Sequence, residues 1–248
     1  MPIEVNNLTF KYGSNTVLDA ISFKVEKGDC VTLLGENGVG KSTLLKCLLG
    51  ILKTNSAIHL NGKPLHEYSS DELARQVSYV SQEGSFTDAT VFDTVLLGRR
   101  PHIRYDVTKE DLRITEAYIE KFGLSDKALT PISRLSGGER QKVFITRALT
   151  QETPIILMDE PTSNLDMKNQ LEIAHCIKDL SETENRTLIV CMHDVNLAMR
   201  FSNKYLFMKD SRVYGFGEEH IITSDMIETV YGVHAEILHH KGMKNVIY

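Results

Sequence analysis

The 248-residue chain has no tryptophan, and aromatic residues make up only 7% of it. No apolar run approaches the roughly 18–20 residues that a membrane-crossing helix needs. The longest runs, such as Ile155–Met158 and Leu188–Met192, are strand-sized. The opening Met1-Pro2-Ile3-Glu4-Val5-Asn6-Asn7 has neither a basic n-region nor an apolar h-region, so no signal peptide is expected. Positive charge is not in excess: 28 Lys and Arg against 33 Asp and Glu leave a net charge of −5, with an isoelectric point near 6.0. Coating nucleic acid or anionic lipid requires a basic surface, so neither is expected as the main role. Cysteine pairs are missing too. Cys30, Cys47, Cys176 and Cys191 lie far apart with no CxxC spacing. Three of them sit in apolar stretches, as small buried hydrophobes do in a reducing compartment. A cytoplasmic chain that does not itself cross a membrane is expected.

What is present is a globular composition, 42% hydrophobic and 25% charged, in a chain long enough for one large domain carrying a subdomain. Ile3 and Val5, then Ile21, Phe23 and Val25, alternate with polar residues as half-buried antiparallel strands do. Val31–Leu34 reads as a short continuous apolar run of the buried-strand type, and Val77–Val80, Ile155–Met158, Leu188–Cys191 and Tyr205–Met208 are further buried-strand candidates. The first run ends in glycines and leads into a helix over Ser42–Leu49. The next three are soon followed by Gln82, Asp159-Glu160 and His193. Ligands of open α/β sheets bind at the carboxyl ends of strands, so this recurrence implies one site. Between Val91 and Thr150 the pattern turns helical, most clearly at Asp111–Phe122 and Glu139–Leu149.

Three motifs carry chemistry. Gly35-Glu36-Asn37-Gly38-Val39-Gly40-Lys41-Ser42 matches G-x-x-x-x-G-K-[ST] between a strand and a helix. Its glycines let backbone N–H groups cradle an anion at the positive end of the helix. Lys41 would reach the β- and γ-phosphates and the Ser42 hydroxyl would hold Mg²⁺. A plain glycine-rich turn is the alternative, and the strand, loop and helix together argue against it. Glu36 should point to solvent, away from phosphate. Ile155–Glu160 is an apolar strand ending in two acids, with Asp159 placed for the Mg²⁺ shell and Glu160 to accept a proton from attacking water. Alone that pattern is weak, and its weight comes from the phosphate loop. In Leu135-Ser136-Gly137-Gly138-Glu139-Arg140-Gln141, Ser136 and Glu139 fit an ordinary capping box. Two glycines there give up helix propensity, which suits close approach of a phosphate.

With these motifs in this order the chain resembles an ABC-type ATPase, the nucleotide-binding subunit of an ATP-binding-cassette transporter, essentially from end to end. The resemblance implies an α/β P-loop NTPase with a RecA-like core (1–85 and 151–230), an N-terminal antiparallel β subdomain, an inserted helical subdomain (86–150) and a tail (231–248). Gly35, Asn37, Gly38, Gly40, Lys41, Ser42 and Thr43 would hold ATP. Ser42, Gln82 and Asp159 would hold Mg²⁺, with Gln82 as the Q-loop glutamine sensing the γ-phosphate. Glu160 would be the catalytic glutamate, His193 in Met192-His193-Asp194 the switch histidine, and Asp166 part of the D-loop. Tyr12 lies where the family stacks an aromatic on adenine, although it would serve equally as a strand-edge aromatic. Ser136, Gly137 and Gly138 would complete the ATP site of a second copy, so the active unit is a head-to-tail dimer. Departures are Glu36, where the family commonly has proline or a small residue, and Asn164, where alanine is frequent.

Leu96–His102, Met192–Ala198 and Thr229-Val230-Tyr231-Gly232-Val233 resemble segments of importers of iron-siderophore, haem and cobalamin type. That resemblance implies permease subunits docked near Gln82–Pro101, with Arg99 and Arg100 at or near that surface, and an extracytoplasmic substrate-binding protein beyond them. The chain would then lie on the cytoplasmic side of the membrane as a peripheral subunit. A soluble ABC ATPase of DNA repair, translation or cluster assembly is the alternative. The coiled-coil insertions, zinc cysteines or second cassette of such relatives are absent here. A P-loop kinase would not explain Leu135–Gln141. His239-His240, with His234 nearby, reads as a solvated pair lacking a third ligand of usable spacing, so no metal beyond Mg²⁺ is expected.

Overall fold

The computed structural model describes residues 2–54, 56–81, 88–240 and 242–248. In chain order the elements are β1 (Ile3–Tyr12), β2 (Asn15–Val25), β3 (Cys30–Leu34), α1 (Lys41–Leu48), β4 (Ile58–Leu60) and β5 (Lys63–Pro64). There follow α2 (Ser70–Ala74), β6 (Val77–Val80), α3 (Val91–Leu96), α4 (Lys109–Lys121), α5 (Gly137–Thr150), β7 (Ile155–Asp159) and α6 (Met167–Glu182). The last stretch holds β8 (Thr187–Cys191), α7 (Val195–Ala198), β9 (Lys204–Lys209), β10 (Arg212–Gly217), α8 (Ser224–Tyr231), β11 (Glu236–His240) and β12 (Met243–Ile247). The chain forms two compact units, Met1–Tyr68 with Ala174–Tyr248, and Ser69–Ile173.

In the first unit β1 pairs antiparallel with β2, Ile3 opposite Val25 and Val5 opposite Phe23, and β4 pairs on its other side. The expected alternation is present: Ile3, Val5, Ile21, Phe23 and Val25 face the core and their neighbours mostly do not. β3 lies parallel to both β8 and β9, with Val31 opposite Ile189 and Thr32 opposite Tyr205. β10 adds antiparallel to β9. All five residues of β3 and of β8 are buried, which is why those segments read as unbroken apolar runs. Cys30, Cys47 and Cys191 are buried, and all four cysteines are free thiols. Burial pushes the Cys30 and Cys47 thiols up to about 12, so they stay protonated and inert. The tail folds into a hairpin, β11 against β12. Adjacent residues of a strand point to opposite faces, so His239 and His240 cannot converge on one ion.

In the second unit β6 and β7 run parallel, Val77 opposite Ile155 and Val80 opposite Met158. Helices α3, α4 and α5 close on a core of Val91, Val95, Ile119, Leu124, Ile132, Leu135 and Val143. The expectation that Arg99 lies at or near a docking surface is narrowed here, since its side chain is not on any surface of this unit. Arg99 does not face out; it is 5% exposed. It donates from Nε to Asp111 Oδ1 at 3.0 Å and from Nη1 to the Thr150 carbonyl at 2.9 Å and Glu152 Oε2 at 2.6 Å. The Thr108 hydroxyl and N–H, with Arg99, hold the Asp111 carboxyl below the usual carboxylate range. Gly98 beside it admits no side chain, because a Cβ would lie 2.1 Å from the Arg147 carbonyl oxygen. The guanidinium therefore ties α4 to the end of α5 from inside. Arg100 alone of the pair is exposed.

Candidate functional site

In the first unit β3 delivers the chain to Gly35, which sits at φ +146 with its missing Cβ aimed 2.5 Å from the Met208 carbonyl oxygen. Gly40, at φ +111, packs against the Val17 carbonyl in the same way, at 2.7 Å. Neither position accepts a side chain. Between them Glu36, Asn37 and Gly38 are exposed, as the charge argument for Glu36 requires. α1 then starts at Lys41 with Gly40 as its N-cap. No side chain caps it, and its first turn holds no acidic residue. The positive end of the helix dipole thus has no protein counter-charge from its own turn. Lys41 is 6% exposed, and its Nζ donates to the carbonyls of Gly35 at 2.7 Å and Glu36 at 2.9 Å. Ser42 and Thr43 follow in the first turn, both half-buried.

His193 is exposed just beyond the buried end of β8. Asp194 behind it caps α7, its carboxylate accepting the Leu197 N–H at 2.9 Å. Two residues on, the Asn196 side-chain amide clamps the backbone of Val246 in β12. Its Nδ2 donates to the Val246 carbonyl at 2.9 Å, and its Oδ1 accepts the Val246 N–H at 2.8 Å. Tyr12 is 49% exposed at the turn end of β1, edge-on to Phe10 with centroids 5.0 Å apart. It is an open aromatic face on a strand edge.

In the second unit β7 ends on Asp159, a residue 5% exposed whose carboxylate accepts the Tyr79 hydroxyl at 3.4 Å. Glu160 leaves the strand at φ +46, a left-handed conformation that costs a non-glycine residue energy and is concentrated at functional turns. Its carbonyl accepts the Ser163 N–H at 3.1 Å and hydroxyl at 2.9 Å, which closes the turn. Asn164 also lies at positive φ, +60. Asparagine tolerates that region better than alanine, which accounts for this departure from the family pattern. Asp166 caps α6: its Oδ1 accepts the Asn169 N–H at 2.8 Å, and both carboxylate oxygens accept Asn169 Nδ2 at 3.0 Å.

The signature segment is a complete capping box. Ser136 Oγ accepts the Glu139 N–H at 3.4 Å, while Glu139 Oε2 accepts the Ser136 N–H at 2.9 Å. Glu139 also pairs with Lys127. The two glycines differ. A Cβ on Gly138 would lie 2.4 Å from Asn169 Cγ, so this glycine answers to packing inside its own unit. A Cβ on Gly137 would meet nothing nearer than 3.8 Å, so the chain's own fold leaves that position open. The sequence did not reveal the part played by Asn169; no motif marks it.

Gln82 lies outside the described residues. Among the described residues no group of three or more His, Cys, Asp or Glu side chains gathers to hold a metal ion. Ser42 in the first unit and Asp159 in the second each carry an oxygen donor of the kind Mg²⁺ prefers.

A family model described as ABC transporter matches residues 18–163. An uncharacterized ABC transporter ATP-binding protein of Methanocaldococcus jannaschii is 45% identical over all of this chain and 98% of its own length. The iron(3+)-hydroxamate import ATP-binding protein of Bacillus subtilis is 35% identical over 95% of this chain and 90% of its own. Among solved structures, a transporter described as of metal-chelate type, in an inward-facing conformation, superposes with TM-score 0.86 and 30% identity over 99% of this chain and 95% of that one. A dimeric post-hydrolysis ATP-binding cassette bound to ADP and Pi superposes with TM-score 0.77 and 27% identity, over 87% of this chain and 98% of that one. The α/β P-loop NTPase fold expected from the sequence is the fold observed.

Proposed function

We propose, from the premise that the chain belongs to the ABC transporter family of ATP-binding proteins, a division of labour among its residues in powering an importer of metal chelates. The chain is an ATP-binding and ATP-hydrolysing subunit of such an importer. Iron chelates, haem and cobalamin are the substrate class. The names of relatives support this class: an iron-hydroxamate import protein matched over 90% of its own length, and a cobalamin import protein matched over 59% of its own. They speak against a soluble ABC ATPase of repair, translation or cluster assembly.

The observation that carries the reading is the helix start at Lys41, uncapped by any side chain and entered through glycines that no other residue could replace. Backbone N–H groups of the loop beyond Gly35 bind the phosphates, and Lys41 exchanges its loop carbonyls for β- and γ-phosphate oxygens. Tyr12 stacks on the base. Ser42, Asp159 and Gln82 would hold Mg²⁺, which neutralises charge between the phosphates when bound. Glu160 takes a proton from the attacking water, and His193 contacts the γ-phosphate end. Ser136, Gly137, Gly138 and Asp166 serve the ATP of a second copy, so two chains close around two nucleotides. Permease subunits dock on the helical region, with Arg100 exposed there. Among the described residues no helix is long and apolar enough to cross a membrane. We place the chain as a peripheral subunit on the cytoplasmic face, indirectly served by an extracytoplasmic binding protein.

Glu160→Gln tests this. It keeps the binding groups but removes the base, so ATP affinity should hold while turnover falls by roughly 10²–10⁴. Light scattering should then show a dimer only with MgATP, abolished by Ser136→Arg. Parental turnover in Glu160→Gln would sink the assignment.

A further inference from the structure

We propose that Tyr231 is a positioning residue for the phosphate loop: its phenol oxygen accepts the Gly35 N–H and anchors the residue at which the cradle begins. The inference rests on the reading of residues 35–43 as the ATP site. β3 ends at Leu34, opposite Phe207 of β9, and on the other side the ladder closes with the Met192 N–H donating to the Leu33 carbonyl. Gly35 lies past that ladder, so its N–H takes a side-chain acceptor instead, the Tyr231 hydroxyl oxygen at 3.1 Å from 196 residues further along the chain. The loop starts at this link, and Gly35 is the residue whose φ of +146 sets its direction.

Tyr231 is held in place from several sides. It ends α8, whose Ile227 and Val230 are buried and whose N-terminus is capped by Thr223. Gly232, left-handed at φ +68, terminates the helix with its N–H on the Glu228 carbonyl at 2.9 Å. Lys209, the last residue of β9, donates from Nζ to the Thr229 carbonyl at 2.6 Å. The ring therefore has little freedom, and its oxygen arrives at Gly35 pre-positioned. Burial pushes the phenol well above its ordinary range, with Tyr248 and Asp194 nearby adding to the shift, so the group remains a neutral acceptor. Thr229–Val233 is thus given a task within the nucleotide site: the importer-like ending steadies the loop that holds ATP.

The test uses the full chain, its Tyr231→Phe variant and, as a control in the same helix, Ile227→Val. Removing one oxygen should weaken ATP binding by about three- to tenfold in calorimetric titration, the range of one hydrogen bond. KM for ATP should rise by the same factor with kcat little changed. Amide exchange at Gly35 should speed up while Val31–Leu34 stay protected. Ile227→Val should lower the melting temperature and leave ATP affinity alone. If Tyr231→Phe binds ATP as the parent does, or if Ile227→Val loses as much affinity as it does, the positioning role is overturned while the ATP site stands. A parental chain that binds no ATP would overturn the site itself, and this inference with it.

Discussion

The chain contains two glycine-rich entries to a helix, and they are built on opposite principles. At Gly35–Lys41 the glycines adopt conformations closed to other residues, and α1 starts with neither a side-chain cap nor an acid in its first turn. At Leu135–Glu139 the helix cares for itself: Ser136 and Glu139 satisfy each other's backbone donors, and the Glu139 carboxylate occupies the positive end of α5. The first entry has no anionic group of its own at the helix start. The second is already served by an internal one, whose charge Lys127 offsets. A helix start of the second kind is a poor phosphate site by itself, in keeping with the proposal that this segment meets the nucleotide of a second copy. Anion affinity follows from which donors a fold leaves unserved, and glycine content alone does not report it.

Lys41→Ala would test the open entry hardest. Losing charge-assisted bonds of about 1.5–3 kcal/mol should weaken ATP binding roughly ten- to hundredfold in calorimetric titration. Parental affinity would erase the distinction between the loops. Next in size is the contrast between the signature glycines. Gly138→Ala collides with Asn169, which Asp166 holds in place, and should cost about 1–3 kcal/mol in thermal unfolding. Gly137→Ala should leave stability equal or higher by about 0.4–1 kcal/mol, yet reduce ATP-driven pairing in a Glu160→Gln background. Equal stability losses at both positions would show that the fold, not a ligand, demands both glycines. Ser136→Ala should cost about 1 kcal/mol of stability through the lost cap. The ATP affinity of a single chain should not change, because its own phosphate loop is untouched. Smallest is Lys127→Ala, which removes a half-exposed partner of Glu139 and should shift unfolding by less than about 1 kcal/mol. ATP-driven pairing should nonetheless weaken, since the carboxylate at α5 loses its neutralising charge.

Much of the fold was legible because strand and helix signals here are strong and local. Val77–Val80 is a strand with the bounds expected from the sequence, and Glu139–Leu149 lies inside α5. The β11–β12 hairpin was not legible. Its β11 face is mostly exposed, Leu238 included, so no alternation marks it, and the clamp of Asn196 on Val246 spans 50 residues. The burial of Arg99 was not legible for a related reason. An Arg pair beside Gly98 and Pro101 looks solvated in sequence, and only the packing of α4 and α5 brings Asp111, Thr150 and Glu152 around one of the two.

The sequence by itself determined the order of chemical parts: a phosphate loop, a paired-acid strand end, a Ser-Gly-Gly helix start and a histidine after a buried strand. Each is a contiguous stretch of a few residues whose spacing is set by local backbone geometry. Tertiary structure alone decided which groups answer to distant partners. Tyr231 meets the Gly35 amide, Gly138 yields to Asn169, and Arg99 is turned inward. These assignments depend on where one element's side chains fall against another's backbone, and that is settled by packing and by the need to satisfy buried donors, neither of which is written in any short run of residues.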